Sequence, residues 1–167
     1  MSMIQPLLAE LEMEAATLKR HLSAIPDAKL GWKPHAKSMS LGQLAHHMAT
    51  LPGNVAGLIQ QTAVPAPEFA LPQQPKSKAE ILAALDASLA QAKTLLGGMS
   101  DADLMAEFRV MAGDKSVMAM PRIAVARAIL LNHLYHHRGQ FTVYLRLLDI
   151  KVPATYGNTA DENPFKM

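Results

Sequence analysis

Residues 122–148 read RIAVARAILLNHLYHHRGQFTVYLRLL, and the period of this stretch decides the fold. Ile123, Leu130, Leu134, Phe141, Leu145 and Leu148 recur at steps of three, four and seven residues, which is the stripe of an amphipathic helix. Pro121 suits its first turn and Pro153 lies beyond its end. Three earlier segments share the pattern. Ile4, Leu7, Leu8, Leu11, Ala15, Leu18 and Leu22 mark a first helix closed by Pro26. Ser40-Leu41-Gly42-Gln43 is a capping box that opens a second helix reaching about Gln61, with Pro52 and Gly53 predicting a kink or break. Ser77-Lys78-Ala79-Glu80 is another, followed by Ile81, Leu82, Leu85, Leu89, Ala92, Leu95 and Leu96 on one face, with Gly97 and Gly98 as the stop.

The connections are short on periodicity. Prolines at 65, 67, 72 and 75 argue against regular structure from Thr62 to Pro75. Asp101 to Glu107 reads as a short helix, Glu107 to Met120 as an irregular hairpin folded about Ala112-Gly113-Asp114, and the tail from Lys151 onward as turns. Neither side of the proline-rich connection has enough elements for its own core, so residues 1–167 are expected to form one domain. The predicted architecture is all-α: a four-helix bundle with a short irregular segment before the last helix.

Composition agrees. Half of the residues are hydrophobic but only 5% are aromatic, and Ala, Leu and Met outweigh the β-branched residues, which favours helices. A net charge of +2 without a dense basic run argues against a nucleic-acid partner. No apolar stretch reaches the roughly 18–20 residues that span a bilayer, and the opening MSMIQPLLAELEMEAA carries acids where a signal peptide carries basic residues. A soluble, cytoplasmic protein with no membrane association is expected. Cysteine is absent, so any metal must be held by nitrogen and oxygen ligands, and seven histidines are available.

Five of these histidines lie in helices. At about 100° per residue, His137 falls within about 40° of the centre of the last helix's apolar face and His133 within about 80° on the same flank, while His136 lies nearer the edge. Four residues apart on one face, His133 and His137 can converge on a single cation. On the second helix, His47 lies about 80° from the centre of the face set by Leu41, Leu44, Met48, Leu51, Val55 and Leu58, and His46 points towards water. His21 and His35 sit in or beside the first loop. His47, His133 and His137 are therefore the candidate ligands of a divalent ion such as zinc, nickel, iron, cobalt or manganese, with a position left open for water or substrate.

His133-Leu-Tyr-His-His137 lacks the glutamate that serves as base in zinc proteases. No dinucleotide fingerprint, phosphate loop or nucleophile elbow occurs either. Met105, Met111, Met118 and Met120 read as packing, Gly139 as a close approach of another helix, and Arg138 as a solvated or capping charge. Val125, Ile129, Val143 and Leu147 add a second apolar face to the last helix, to be covered by a second copy in a homodimer or by the Glu107 to Met120 segment.

Ser40-Leu-Gly-Gln-Leu-Ala-His-His47, then Asn132-His-Leu-Tyr-His-His-Arg-Gly-Gln140 and Tyr144-Leu-Arg-Leu-Leu148, resemble the DinB-like superfamily, which also contains the YfiT-type proteins. The resemblance extends to Trp32 and to the closing Tyr156-Gly-Asn-Thr-Ala-Asp-Glu162. It implies an up-down-down-up four-helix bundle, often a homodimer, with a divalent metal held at one end by three histidines, here His47, His133 and His137. Some members of that superfamily are transferases or isomerases that use low-molecular-weight thiols. No residue here matches a thiol-binding or substrate-binding motif. The functional expectation is a metal-dependent enzyme acting on a small molecule, activating water or a thiol cosubstrate. The alternative is a non-catalytic metal- or ligand-binding bundle.

Overall fold

The computed structural model describes residues 2–68 and 70–166. Helix α1 runs Ile4–Ser23, α2 Leu41–Leu58, α3 Lys78–Gly97 and the short α4 Asp101–Met105. The last long helix is composite: α5 at Arg122–Val125, wide π-type turns at Ala126–Asn132, and α6 at His133–Leu147. The cap at Ser40 forms as its sequence dictates, its hydroxyl accepting from the Gln43 amide while the Gln43 side chain accepts from the Ser40 amide. At Ser77 only half the box forms, because Glu80 reaches back to the Lys76 amide instead. Apolar faces meet in one cluster. Leu11, Leu18 and Leu22 of α1, Leu44 and Met48 of α2, Ile81 and Leu85 of α3, and Leu134, Phe141 and Leu145 of α6 are all buried within it.

The all-α expectation is corrected by a three-stranded sheet, β1 Ala63–Pro65, β2 Glu107–Ala112 and β3 Lys115–Pro121, in the order β1-β2-β3. The hairpin of β2 and β3 is antiparallel, turns through Gly113 at a φ of 59°, and carries a register shift between Val110 and Met111. Strand β1 lies inside the segment whose prolines argued against regular structure. It pairs in parallel with β2, Val64 opposite Val110, at an edge where a proline breaks no ladder on the open side. The amides of Arg109 and Ala66, bonded to Thr62 and Met111 carbonyls, extend that pairing.

Pro52 does not break α2, which ends at Leu58 rather than near Gln61. The Gly53 amide donates to Ser88 Oγ of α3 at 2.8 Å, and a Cβ on Gly53 would stand 3.1 Å from the Ser88 backbone, so glycine permits the close approach of α2 and α3. Gly139, read as such an approach, has nothing within 4 Å of an added Cβ. No feature of the structure requires glycine there. Of the second apolar face, Val125 is buried and Ile129 half-buried against the sheet, whereas Val143 and Leu147 are 55% and 59% exposed.

Arg138 is not solvated. Its side chain is 3% exposed and pairs with the Glu14 carboxylate of α1, 10% exposed. Its second amino group donates to the Tyr156 hydroxyl, which itself lies 3.1 Å from the Glu14 carboxylate oxygens. The guanidinium also lies over the Tyr135 and Tyr156 rings, 5.5 and 5.1 Å from their centroids. Removing one partner of a buried ion pair strands the other charge. Arg138→Met is therefore expected to lower unfolding free energy by about 3–5 kcal/mol, and adding Glu14→Gln should restore part of that loss in urea titrations.

Candidate metal centre

His47 comes from the second turn of α2, and His133 and His137 from the first turns of α6. One ligand atom from each lies within 4.8 Å of the others. Ring centroids are 5.3 Å apart for His47 and His133, 4.7 Å for His47 and His137, and 4.5 Å for His133 and His137. The structure thus brings together the three histidines selected from the sequence. His136 is exposed, and His46 is half-buried rather than fully hydrated. His21 lies in the last turns of α1, fully buried, with Nδ1 2.9 Å from the Thr17 carbonyl and Nε2 3.2 Å from Thr155 Oγ1. It is bonded away from the centre.

The His137 ring is oriented from outside the cluster. His137 Nδ1 donates to Gln140 Oε1 at 2.7 Å, so its neutral ring presents a bare Nε2 lone pair. That Nε2 is 2.7 Å from His133 Nε2. Either the His133 ring donates across this short contact or a cation shared by the two nitrogens can take the proton's place. Gln140, three residues after His137 on the same helix face, is a partner of the candidate site to which sequence reasoning assigned no role. It was readable from spacing once His137 had been chosen.

Burial depresses all three imidazole pKa values. His137 is pushed down to about 4, chiefly by burial, with the neighbouring histidines adding to the effect and the Gln140 hydrogen bond opposing it. His47 and His133 are also lowered, in each case mainly by burial. Neutral imidazoles are what a cation needs. The rings form one side of a cavity of about 490 Å³ whose other walls are Met39, Pro67, Glu68, Ala70 and Pro72. Glu68 brings a carboxylate that the histidine motif itself lacks, and it was unreadable in advance because it lies on a proline-rich loop without periodicity. The tail carboxylates stay away: Asp161 binds Arg146 and the Val152 amide, and Glu162 binds Arg20 and the Ala154 amide.

Over residues 10–141, a span that includes all three histidines, the sequence matches the DinB superfamily. A DinB-like protein from Bacillus cereus ATCC 10987 is similar in structure, with a TM-score of 0.70 at 23% identity over 92% of this chain and 97% of that one. The DinB-like protein YjoA from Bacillus subtilis gives 0.69 at 16% identity over 91% and 97%. These two likenesses show the fold alone. No curated protein matches the chain. Among the described residues no helix is long and apolar enough to cross a membrane.

The depressed pKa of His137 has a signed consequence for the metal-free protein. Between about pH 4 and 6.5 the unfolded chain binds a proton at this position that the folded chain refuses, so stability present above pH 6.5 is lost as pH falls through that window. The thermal midpoint should drop over this range, and His137→Gln should flatten the drop. Equal slopes for both proteins would place the pH sensitivity elsewhere.

Proposed function

The chain belongs to the DinB superfamily, and from that premise we propose that it is a divalent-metal-dependent enzyme whose His47, His133 and His137 hold the ion. The convergence of one ligand atom from each of the three histidines within 4.8 Å of the others carries this reading, and Gln140 takes up the other ring nitrogen of His137. An all-imidazole donor set suits zinc, nickel, iron, cobalt or manganese. Bound there, such an ion supplies Lewis acidity that lowers the pKa of a water or thiol at its open position. Gln140 holds the His137 ring in the ligating tautomer. Met39, Pro67 and Pro72 give one wall of the cavity an apolar surface. The Glu68 carboxylate stands at the same wall, where it can take up a proton released from that water or thiol.

The reaction class is transfer, isomerisation or hydrolysis on a small molecule, with a low-molecular-weight thiol as cosubstrate in the first two cases. A non-catalytic role is the second reading, favoured by the placement of the ligands across α2 and α6, where an ion would tie the two helices together. The proposed arrangement of the four long helices is an up-down-down-up bundle in the cytoplasm. A second copy is proposed to cover exposed Val143 and Leu147.

His47→Ala, His133→Ala and His137→Ala should each empty the centre, whereas His46→Ala and His136→Ala should retain the metal, as read by metal content and by the chelator-induced shift in melting temperature. Retention of metal in all three triad variants would defeat the assignment. Turnover of an electrophile with added thiol by the metal-loaded protein alone would establish the enzyme over the binding module. For the dimer, sedimentation at micromolar concentration should give twice the 18.1 kDa chain mass; a mass of one chain would remove it.

A further inference from the structure

A second cavity, of about 280 Å³, lies beneath the sheet. Phe108 of β2 and Val125 of the last helix are fully buried at its base. Val110, Met118 and Ile129 line its sides. Among the described residues its walls are apolar side chains alone, so it offers an uncharged hydrocarbon surface with no side-chain partner for a polar group.

Two observations connect this cavity to the histidine centre. Pro67 is a wall of both. Ile129 stands four residues before His133 on one continuous helical segment. By itself the volume falls just below the roughly 300–1,000 Å³ usual for a complete small-molecule site. It suits part of a ligand whose remainder lies elsewhere, and the larger cavity at the histidines is the neighbouring space.

We propose that the cavity under the sheet is the specificity pocket for an alkyl or aryl tail of the substrate, whose polar head lies at the three histidines. This rests on the metal-centre reading for the head and on the sheet's own residues for the tail. The substrate class is then a small amphiphile, a functional group able to approach a metal ion attached to a hydrocarbon portion of several carbons. A wholly polar substrate would leave this apolar surface to water. Specificity for chain length is set by Val110 and Met118, which belong to strands, while the reacting end is fixed by helices.

The test uses alkyl hydroxamates, whose head group chelates divalent ions, titrated calorimetrically into the metal-loaded full-length protein. Affinity should rise about fourfold per methylene from acetohydroxamate towards octanohydroxamate until the cavity is filled. Val110→Phe, which fills the cavity, should bind acetohydroxamate like the wild type while losing the gain from the tail, and Met118→Phe serves as a second filling variant should the first fail to fold. A flat series in the wild type, or a gain undiminished in a folded filling variant, would overturn the pocket. Titration of 1-octanol into metal-free protein separates this inference from the reading it rests on. Octanol bound by the wild type and rejected by the filling variant, with acetohydroxamate unbound, would keep the pocket and sink the metal centre. Binding of hydroxamate heads with neither octanol binding nor chain-length gain would do the reverse.

Discussion

The buried contact between Glu14 and Arg138 is the constraint around which the rest of the structure is arranged. Two opposite charges taken out of water are tolerable only when each is fully partnered. The structure meets that demand with Tyr156 bonded to both and two aromatic rings against the guanidinium. Because Arg138 follows His137 directly, whatever fixes the arginine also fixes the rotation of α6 that turns His137 towards α2. The tail takes part in this: Arg20 of α1 donates to the Ala154 carbonyl, and Arg146 of α6 binds Asp161. The first helix, the last helix and the chain beyond it thus share one polar seam, on a different side of α6 from the histidines.

At the centre the same economy of partners appears. Three imidazoles packed this closely repel one another once protonated, and burial already favours their neutral forms. The hydrogen bond to Gln140 fixes which nitrogen of His137 faces inward. The wide turns of Ala126–Asn132 lie immediately before His133, and turns of this type occur often where function requires a helix to depart from regular spacing. They place Ile129 at the cavity beneath the sheet and His133 at the cavity of the three histidines along one segment.

The long helices were legible because each repeats its apolar residues often enough to average out exceptions, and because Ser40 and Gln43 mark a start with a two-way bond. The histidine triad was legible for a related reason: once His133 and His137 share a face, few other rings can meet them. The sheet was not, since β1 has three residues, ends on a proline, and finds its partner some forty residues later in β2. Such pairing leaves no local period. Arg138 was misread by treating its charge as a reason for exposure, although Glu14 sits between Leu11 and Leu18 on the apolar stripe of α1 and its burial was a signal that a cation must be nearby. Glu68 and the walls around it come from a loop, where position is set by tertiary contacts.

Tyr156 reaching Glu14 spans 142 residues of chain, as does the bond from Arg20 to Glu162. During synthesis, α1 is therefore completed long before the groups that neutralise and cover it exist. Glu14 can wait in water at no cost, but Leu11, Leu18 and Leu22 beside it cannot be fully sheltered until the last helix has left the ribosome. Contacts this distant in sequence slow folding, and exposed apolar surface favours association of nascent chains. The polar Glu14 on that stripe interrupts the apolar surface while it is unpartnered, making the young helix more soluble at the very position where the finished protein joins its first and last helices.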